Sequence, residues 1–237
     1  MGNDKRHKNI NHQYYSEKNY NSYLYKGFIG ALFRYQHRKL SPKDYRNNEK
    51  VLEIGPGFEP HIKYVKLNFK EYYCLELNKS EELKKYYKNK FPNIFYKTYD
   101  GINLNFPDNF FDRIIISHTL EHIINFEDFL KEIYRVLKRG CVLSIASPCD
   151  NGFLWRFGRF LLKKTYFKLL NISDLDYDYN LAKDHVNTIF QILSVLRKKF
   201  TIIEEYYLPF KIKIIDFNLI HICHIKKNSK FFYRNFL

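Results

Sequence analysis

Seven consecutive residues, Val51-Leu52-Glu53-Ile54-Gly55-Pro56-Gly57, place an apolar run, a carboxylate near its end and a Gly-x-Gly turn in the order strand, turn, helix. Glycine at such a turn lets a ligand approach the backbone closely, and a helix starting behind it offers unpaired N–H groups. A second carboxylate, Glu76, ends the next apolar run about 19 residues beyond Gly57. There it can accept hydrogen bonds from both hydroxyls of a ribose. The two carboxylates predict an adenosine-containing ligand at the carboxyl ends of the strands, against the alternative of a glycine-rich turn that binds nothing. A dinucleotide is the poorer fit. Its pyrophosphate calls for G-x-G-x-x-G, whose sixth position is Pro60 here, and Glu53 sets a negative charge beside the turn. The same charge attracts an ammonium. S-adenosylmethionine carries an ammonium and a sulfonium and no phosphate, so charge favours it over a nicotinamide cofactor.

The elements that must hold these residues alternate. Lys50–Ile54, Tyr72–Leu75, Asn93–Lys97, Arg113–Ser117 and Val142–Ala146 read as strands. The Ile114-Ile115-Ile116 run suits a strand buried on both faces. Between them, residues 60–68, 80–90 and 126–137 read as helices, the last with Phe126, Phe129, Leu130, Ile133 and Leu137 on one face and Gly140 as its stop. Five alternations in about 100 residues imply a parallel sheet with helices on both faces. Tyr23–Leu40 reads as a preceding helix, Phe153–Leu170 as a basic aromatic helix, Asp174–Tyr179 as an acidic turn, Ile189–Phe200 as a helix, and Thr201–Tyr207 and Leu219–Ile225 as two last strands. The expectation is one domain over 1–237, with an N-terminal helical extension (1–45) and an insertion at 149–187 over the substrate side.

Composition sets the limits. Hydrophobic residues are 45% and charged residues 27%, which excludes a disordered tail, a collagen and a disulfide miniprotein. No apolar run reaches the roughly 20 residues of a membrane-spanning helix. The polar, charged stretch 1–11 is not a secretory signal, and Cys74, Cys141, Cys149 and Cys223 form no C-x-x-C pair. Reduced thiols in a cytoplasmic protein are expected. The net charge of +15 lies in the flanks: residues 1–50 hold 11 basic and 4 acidic groups and 151–237 hold 15 and 7, whereas 51–150 hold 14 of each. Basic flanks can attract phosphates, anionic lipid or nucleic acid. A chain so rich in Lys, Asn, Ile, Tyr and Phe also carries such charge from AT-rich codons alone. Asp174, Asp176 and Asp178 alternate as in a calcium loop, but the Gly and closing Glu are missing, so no metal is expected.

Together these segments resemble class I methyltransferases dependent on S-adenosylmethionine, in particular the type 11 small-molecule family. The resemblance rests on Val51–Gly57, on Leu75-Glu76, on Asp100-Gly101 with Phe106-Pro107-Asp108 and Phe110-Phe111-Asp112, on Ser117-His118-Thr119-Leu120-Glu121-His122, and on Glu132–Lys138. It covers residues 48–148 well and the last helix, strand and strand loosely. It implies a Rossmann-like sheet of seven strands, mostly parallel, with the last strand antiparallel. It also implies roles. Glu53 would hold the ammonium, the backbone at Gly55 and Gly57 would pass the methionyl part, and Glu76 would take the ribose. Asp100 and Gly101 would meet the adenine, and Ser117 and His118 would line the methionine side. Glu59 stands where a third glycine is common, which bears on cofactor affinity. Arg139 and Cys141 replace residues usual around Gly140, away from the cofactor.

Methyl transfer needs a base only when the accepting atom carries a proton that must leave. His118, His122 and His185 are the candidates, with Asp184 beside His185 to orient it; a packing or capping role is the alternative for each. The expected acceptor is a small molecule or lipid-linked compound, methylated on an oxygen of a sugar, lipid-linked glycan or quinone, with a phospholipid headgroup as a further option. The helix 153–170, with Trp155, Arg156, Phe157, Arg159 and Phe160, can touch an anionic membrane. The favoured reading is a lid whose aromatics pack on the core and whose lysines face water, and a lid can also touch lipid. Nucleic acid is disfavoured, since Ser117-His118-Thr119-Leu120 is not the Asp/Asn-Pro-Pro-aromatic clamp for a flipped base. An RNA methyltransferase and a S-adenosylmethionine-binding regulator without catalysis are the rivals.

Overall fold

The computed structural model describes residues 24–42, 49–66, 68–77, 80–170 and 174–228. Tyr14, Tyr15 and Tyr20, which could close over a cofactor, lie outside them. The elements are α1 (Gly27–Lys39), β1 (Lys50–Ile54), β2 (Glu71–Glu76), α2 (Glu81–Lys90), β3 (Ile94–Thr98), β4 (Phe111–Ser117), α3 (Phe126–Val136), β5 (Leu137–Pro148), α4 (Phe153–Leu170), α5 (Asp174–Asp184), α6 (Ile189–Lys199), β6 (Ile202–Leu208) and β7 (Ile220–Lys226).

Seven strands form one sheet in the order β3-β2-β1-β4-β5-β7-β6. β1 pairs in parallel with β2 and β4, and β4 with β5, whereas β7 runs antiparallel to both β5 and β6. This is the expected Rossmann-like sheet with its antiparallel last strand. The two-residue period of a strand splits the apolar side chains between two layers. Leu52, Ile54, Ile114 and Ile116 pack against Phe129, Leu130 and Ile133 of α3 and Ile192 and Leu196 of α6. Val51, Tyr72 and Ile115 pack against Leu32 of α1 and Leu83 and Tyr87 of α2. Burying each of these side chains is worth about 1.5–3 kcal/mol, so the sheet is rigid where its strand ends carry a site.

Three expectations need correction. Of the helix expected over 60–68, the described residues 60–66 form only a single 3-10 turn, His61–Lys63, after Pro60. The side chains there are spent sideways on α1: His61 bonds Ser41 and His37, and Tyr64 stacks on Tyr25 and His37. The helix α3 stops at Val136 rather than at Gly140, because Leu137 already pairs with Phe111 in the sheet. Asp174–Asp184 is helical, not a turn. All four cysteines are free thiols. Among the described residues no helix is long and apolar enough to cross a membrane.

Candidate active site

A cavity of about 700 Å³ opens at the carboxyl ends of β1, β2, β4 and β5, with α1 on one side and α4 on the other. Gly55 and Gly57 form its floor, both with left-handed φ (66° and 55°). At Gly55 a side chain is excluded twice, by that φ and because a Cβ would stand 2.5 Å from Thr119 Oγ1.

Glu53 lines the cavity but is only 1% exposed. Both its oxygens accept from the His61 N–H, at 2.9 and 3.1 Å, and one also accepts from the Tyr72 hydroxyl at 2.6 Å. It therefore caps the turn that replaces the expected helix. Burial pushes its carboxyl up to about 7. Glu76 ends β2 and lines the cavity, and one of its oxygens accepts from the Gly57 N–H. Burial raises it to about 7 as well. Asp100 and Gly101 do not line the cavity. Asp100 accepts from the N–H groups of Ile102 and Asn103 at 2.9 and 2.8 Å, which hold its carboxyl below the usual range, and so it caps its own loop. Their neighbours Leu77 and Tyr99 do line it.

Ser117 and His118 follow β4. His118 adopts a left-handed φ of 51°, rare for a side chain of this size. Gln36, fully buried on α1, spans the two residues: its Nε2 donates to Ser117 Oγ at 2.8 Å, and its Oε1 lies 2.7 Å from His118 Nε2. An amide that donates to the serine presents its oxygen to the histidine, so His118 Nε2 carries the proton. Burial pulls His118 down to about 4 and pushes Glu121 up to about 7. Their 3.7 Å contact is thus not an ion pair at neutral pH.

His122 and His185 meet edge to face with ring centres 4.9 Å apart, and both line the cavity. His122 Nδ1 bonds the Asp184 carbonyl at 3.0 Å. His185 Nδ1 bonds the carboxylate of Asp150, just past β5. The carboxylate bonded to His185 is thus that of Asp150. The structure thus gathers Glu53, Gly55, Gly57, Glu76, Ser117, His118, His122 and His185 on one cavity and leaves Asp100 and Gly101 outside it. Gln36, Asp150 and the apolar lining from α1 were not anticipated. The first two are ordinary polar residues whose partners lie 81 and 35 positions away.

Residues 52–145, which span the glycine turn and the first five strands, match the family model described as a methyltransferase domain. That stretch is similar to the methyltransferase domains which the model describes. A demethylmenaquinone methyltransferase of Corynebacterium urealyticum is 39% identical over 67 residues, 27% of this chain and 29% of that protein. One of Corynebacterium efficiens is 30% identical over 112 residues, 47% of each. The chain thus spans less than half the length of these two relatives. In fold, the N-methyltransferase NodS from Bradyrhizobium japonicum, solved with S-adenosyl-L-homocysteine, superposes with a TM-score of 0.60 over 89% of this chain and 99% of that one, at 12% identity.

S-adenosylmethionine is the cofactor of such a domain, and this cavity fits it. Glu53, Glu76 and Glu121 face the cavity as buried carboxyls, and Glu121 Oε2 is buried without a hydrogen-bond partner. A cationic ligand without phosphate suits such a lining; a pyrophosphate does not.

Proposed function

We propose that this chain transfers a methyl group from S-adenosylmethionine to an oxygen of a small acceptor with an apolar body: a quinol, a sugar or a lipid-linked glycan. The observation that carries the reading is a histidine held by a buried carboxylate in the same cavity as the glycine turn and Glu76. When bound, the cofactor would supply an electrophilic methyl on a sulfonium, whose C–S bond breaks to release a neutral thioether without acid assistance. Positioning then does most of the work. Glu76 takes the ribose hydroxyls, Leu77 and Tyr99 flank the adenine, and the backbone at Gly55 and Gly57 passes the methionyl part. Glu53 acts on the ammonium side by fixing the turn. With Nδ1–H given to Asp150, His185 presents Nε2 as its basic nitrogen. It takes the proton that the acceptor oxygen loses as the new C–O bond forms. His118 is the weaker base, since Gln36 engages its Nε2–H and burial disfavours its cation. His122 shapes the acceptor side by its ring contact with His185.

The test is calorimetric titration with S-adenosylmethionine followed by transfer of a tritium-labelled methyl group to a panel of prenylated quinols, isoprenoid-linked glycans and transfer RNA. Submicromolar to micromolar cofactor binding and labelling of a quinol or glycan support the reading. Labelling of RNA alone makes it an RNA methyltransferase. Cofactor binding with no labelled acceptor supports a non-catalytic regulator.

A further inference from the structure

One edge of α4, beside the cavity, carries apolar side chains open to solvent. Phe153, Phe157, Phe160 and Leu161 fall at i, i+4, i+7 and i+8, which is one side of a helix. Phe153, Phe160 and Leu161 are 64%, 74% and 60% exposed. Phe153 and Phe160 are therefore not packed on the core, as a simple lid would have them. Phe28 of α1, across the cavity mouth, is 77% exposed. Contiguous exposed apolar surface of this kind marks a docking face.

Charge and continuity say what docks there. Residues 153–170 contain Arg156, Arg159, Lys163, Lys164 and Lys168 and no acidic residue. Asp178 of α5 holds Arg159 and Lys163 at 3.6 and 2.6 Å, which ties α4 to α5 while leaving the stretch positive. Two copies of a chain carrying +15 repel each other face to face. An anionic bilayer attracts such a face, and basic residues interleaved with Phe, Leu and Trp are the pattern of a helix lying in a lipid interface. Phe157 and Leu161 also line the cavity, so the exposed edge of α4 adjoins the site.

We infer that α4 docks this protein on an anionic membrane surface, with Phe153 and Phe160 inserted among the acyl chains, and that the cavity mouth then faces the bilayer. This goes beyond the methyl-transfer reading, and vesicle binding is measured without turnover, so either can fail alone. The experiment is co-sedimentation of the full chain with vesicles of phosphatidylcholine, or of equal parts phosphatidylcholine and phosphatidylglycerol, at low and high salt. The wild type partitions to the anionic vesicles, less to the neutral ones, and less again as salt rises. Phe153→Ser/Phe160→Ser lowers the anionic partition coefficient about tenfold per residue. Neither side chain lines the cavity, so melting temperature and cofactor affinity stay at the wild-type values and show that the fold is intact. No sedimentation of the wild type, equal sedimentation of the double variant, or a wild-type dimer in solution that the double variant abolishes would each overturn the inference.

Discussion

Replacing Glu76 with glutamine separates what this carboxyl does for the fold from what it does for the ligand. Burial at the end of β2 raises its pKa from 4.5 to about 7, against the pull of the Gly57 N–H. A carboxyl raised in the folded state holds its proton more tightly there than in the unfolded chain. Its contribution to stability is therefore complete below pH 4.5 and is lost as pH climbs through about 7. At about 1.4 kcal/mol per pH unit, the loss across that window is at most about 3.5 kcal/mol. Water entering from the cavity brings the expected range to about 1–3 kcal/mol. Glutamine keeps an oxygen for the Gly57 N–H and cannot ionise. Removing the Glu76 charge also lets Glu53 ionise more easily, since each charge disfavours the other. The two proteins should melt together at pH 4.5, and the variant should melt higher at pH 8, by roughly 2–4 °C per kcal/mol for a chain of this size. Cofactor affinity moves the other way. Losing charge-assisted bonds to the ribose hydroxyls, worth about 1.5–3 kcal/mol each, weakens binding roughly 10- to 100-fold at pH 8. Scanning calorimetry at both pH values and isothermal titration at pH 8 read both effects. A stability gap that does not change with pH refutes the buried-carboxyl argument. An unchanged affinity refutes Glu76 as a ligand to the cofactor.

Three other changes probe the rest of the site. Asp150→Asn replaces the carboxylate bonded to His185 without altering the cavity wall; with an oxygen acceptor, kcat should fall about 10- to 100-fold, with cofactor affinity unchanged by titration. Gln36→Leu leaves Ser117 Oγ and His118 Nε2 without the amide they share, so a loss of about 1–3 kcal/mol is expected in urea unfolding, together with weaker cofactor binding. Gly55→Ala forces a Cβ against Thr119 at a left-handed φ, and should cost about 1–3 kcal/mol in the same assay.

How much of this was legible in the sequence follows from the range of each interaction. The sheet, its order of elements and the span of α4 were readable because hydrophobic period and turn residues act over a few positions. Glu53, Gly55, Gly57 and Glu76 were readable because a strand end, a turn and the next strand end stand at a fixed distance in this topology. The segment after Pro60 misled because local pattern favoured a helix, whereas its side chains are claimed by α1, and Glu53 then has to cap the shorter turn. The same range limit explains the histidines. Asp184 looked like the partner of His185 because it is adjacent, but in a helix end neighbouring side chains point apart. Asp150 reaches His185, 35 positions on, only because β5 and the start of α6 bring the two ends of that stretch together. Periodicity likewise gives α4 two faces but not which of them is covered. That depends on what sits beneath the helix, and here it is a cavity rather than a packed core. A helix over a cavity turns Leu154, Trp155 and Leu162 to the ligand space, and its exposed Phe153 and Phe160 are the side chains that the proposed membrane contact would cover.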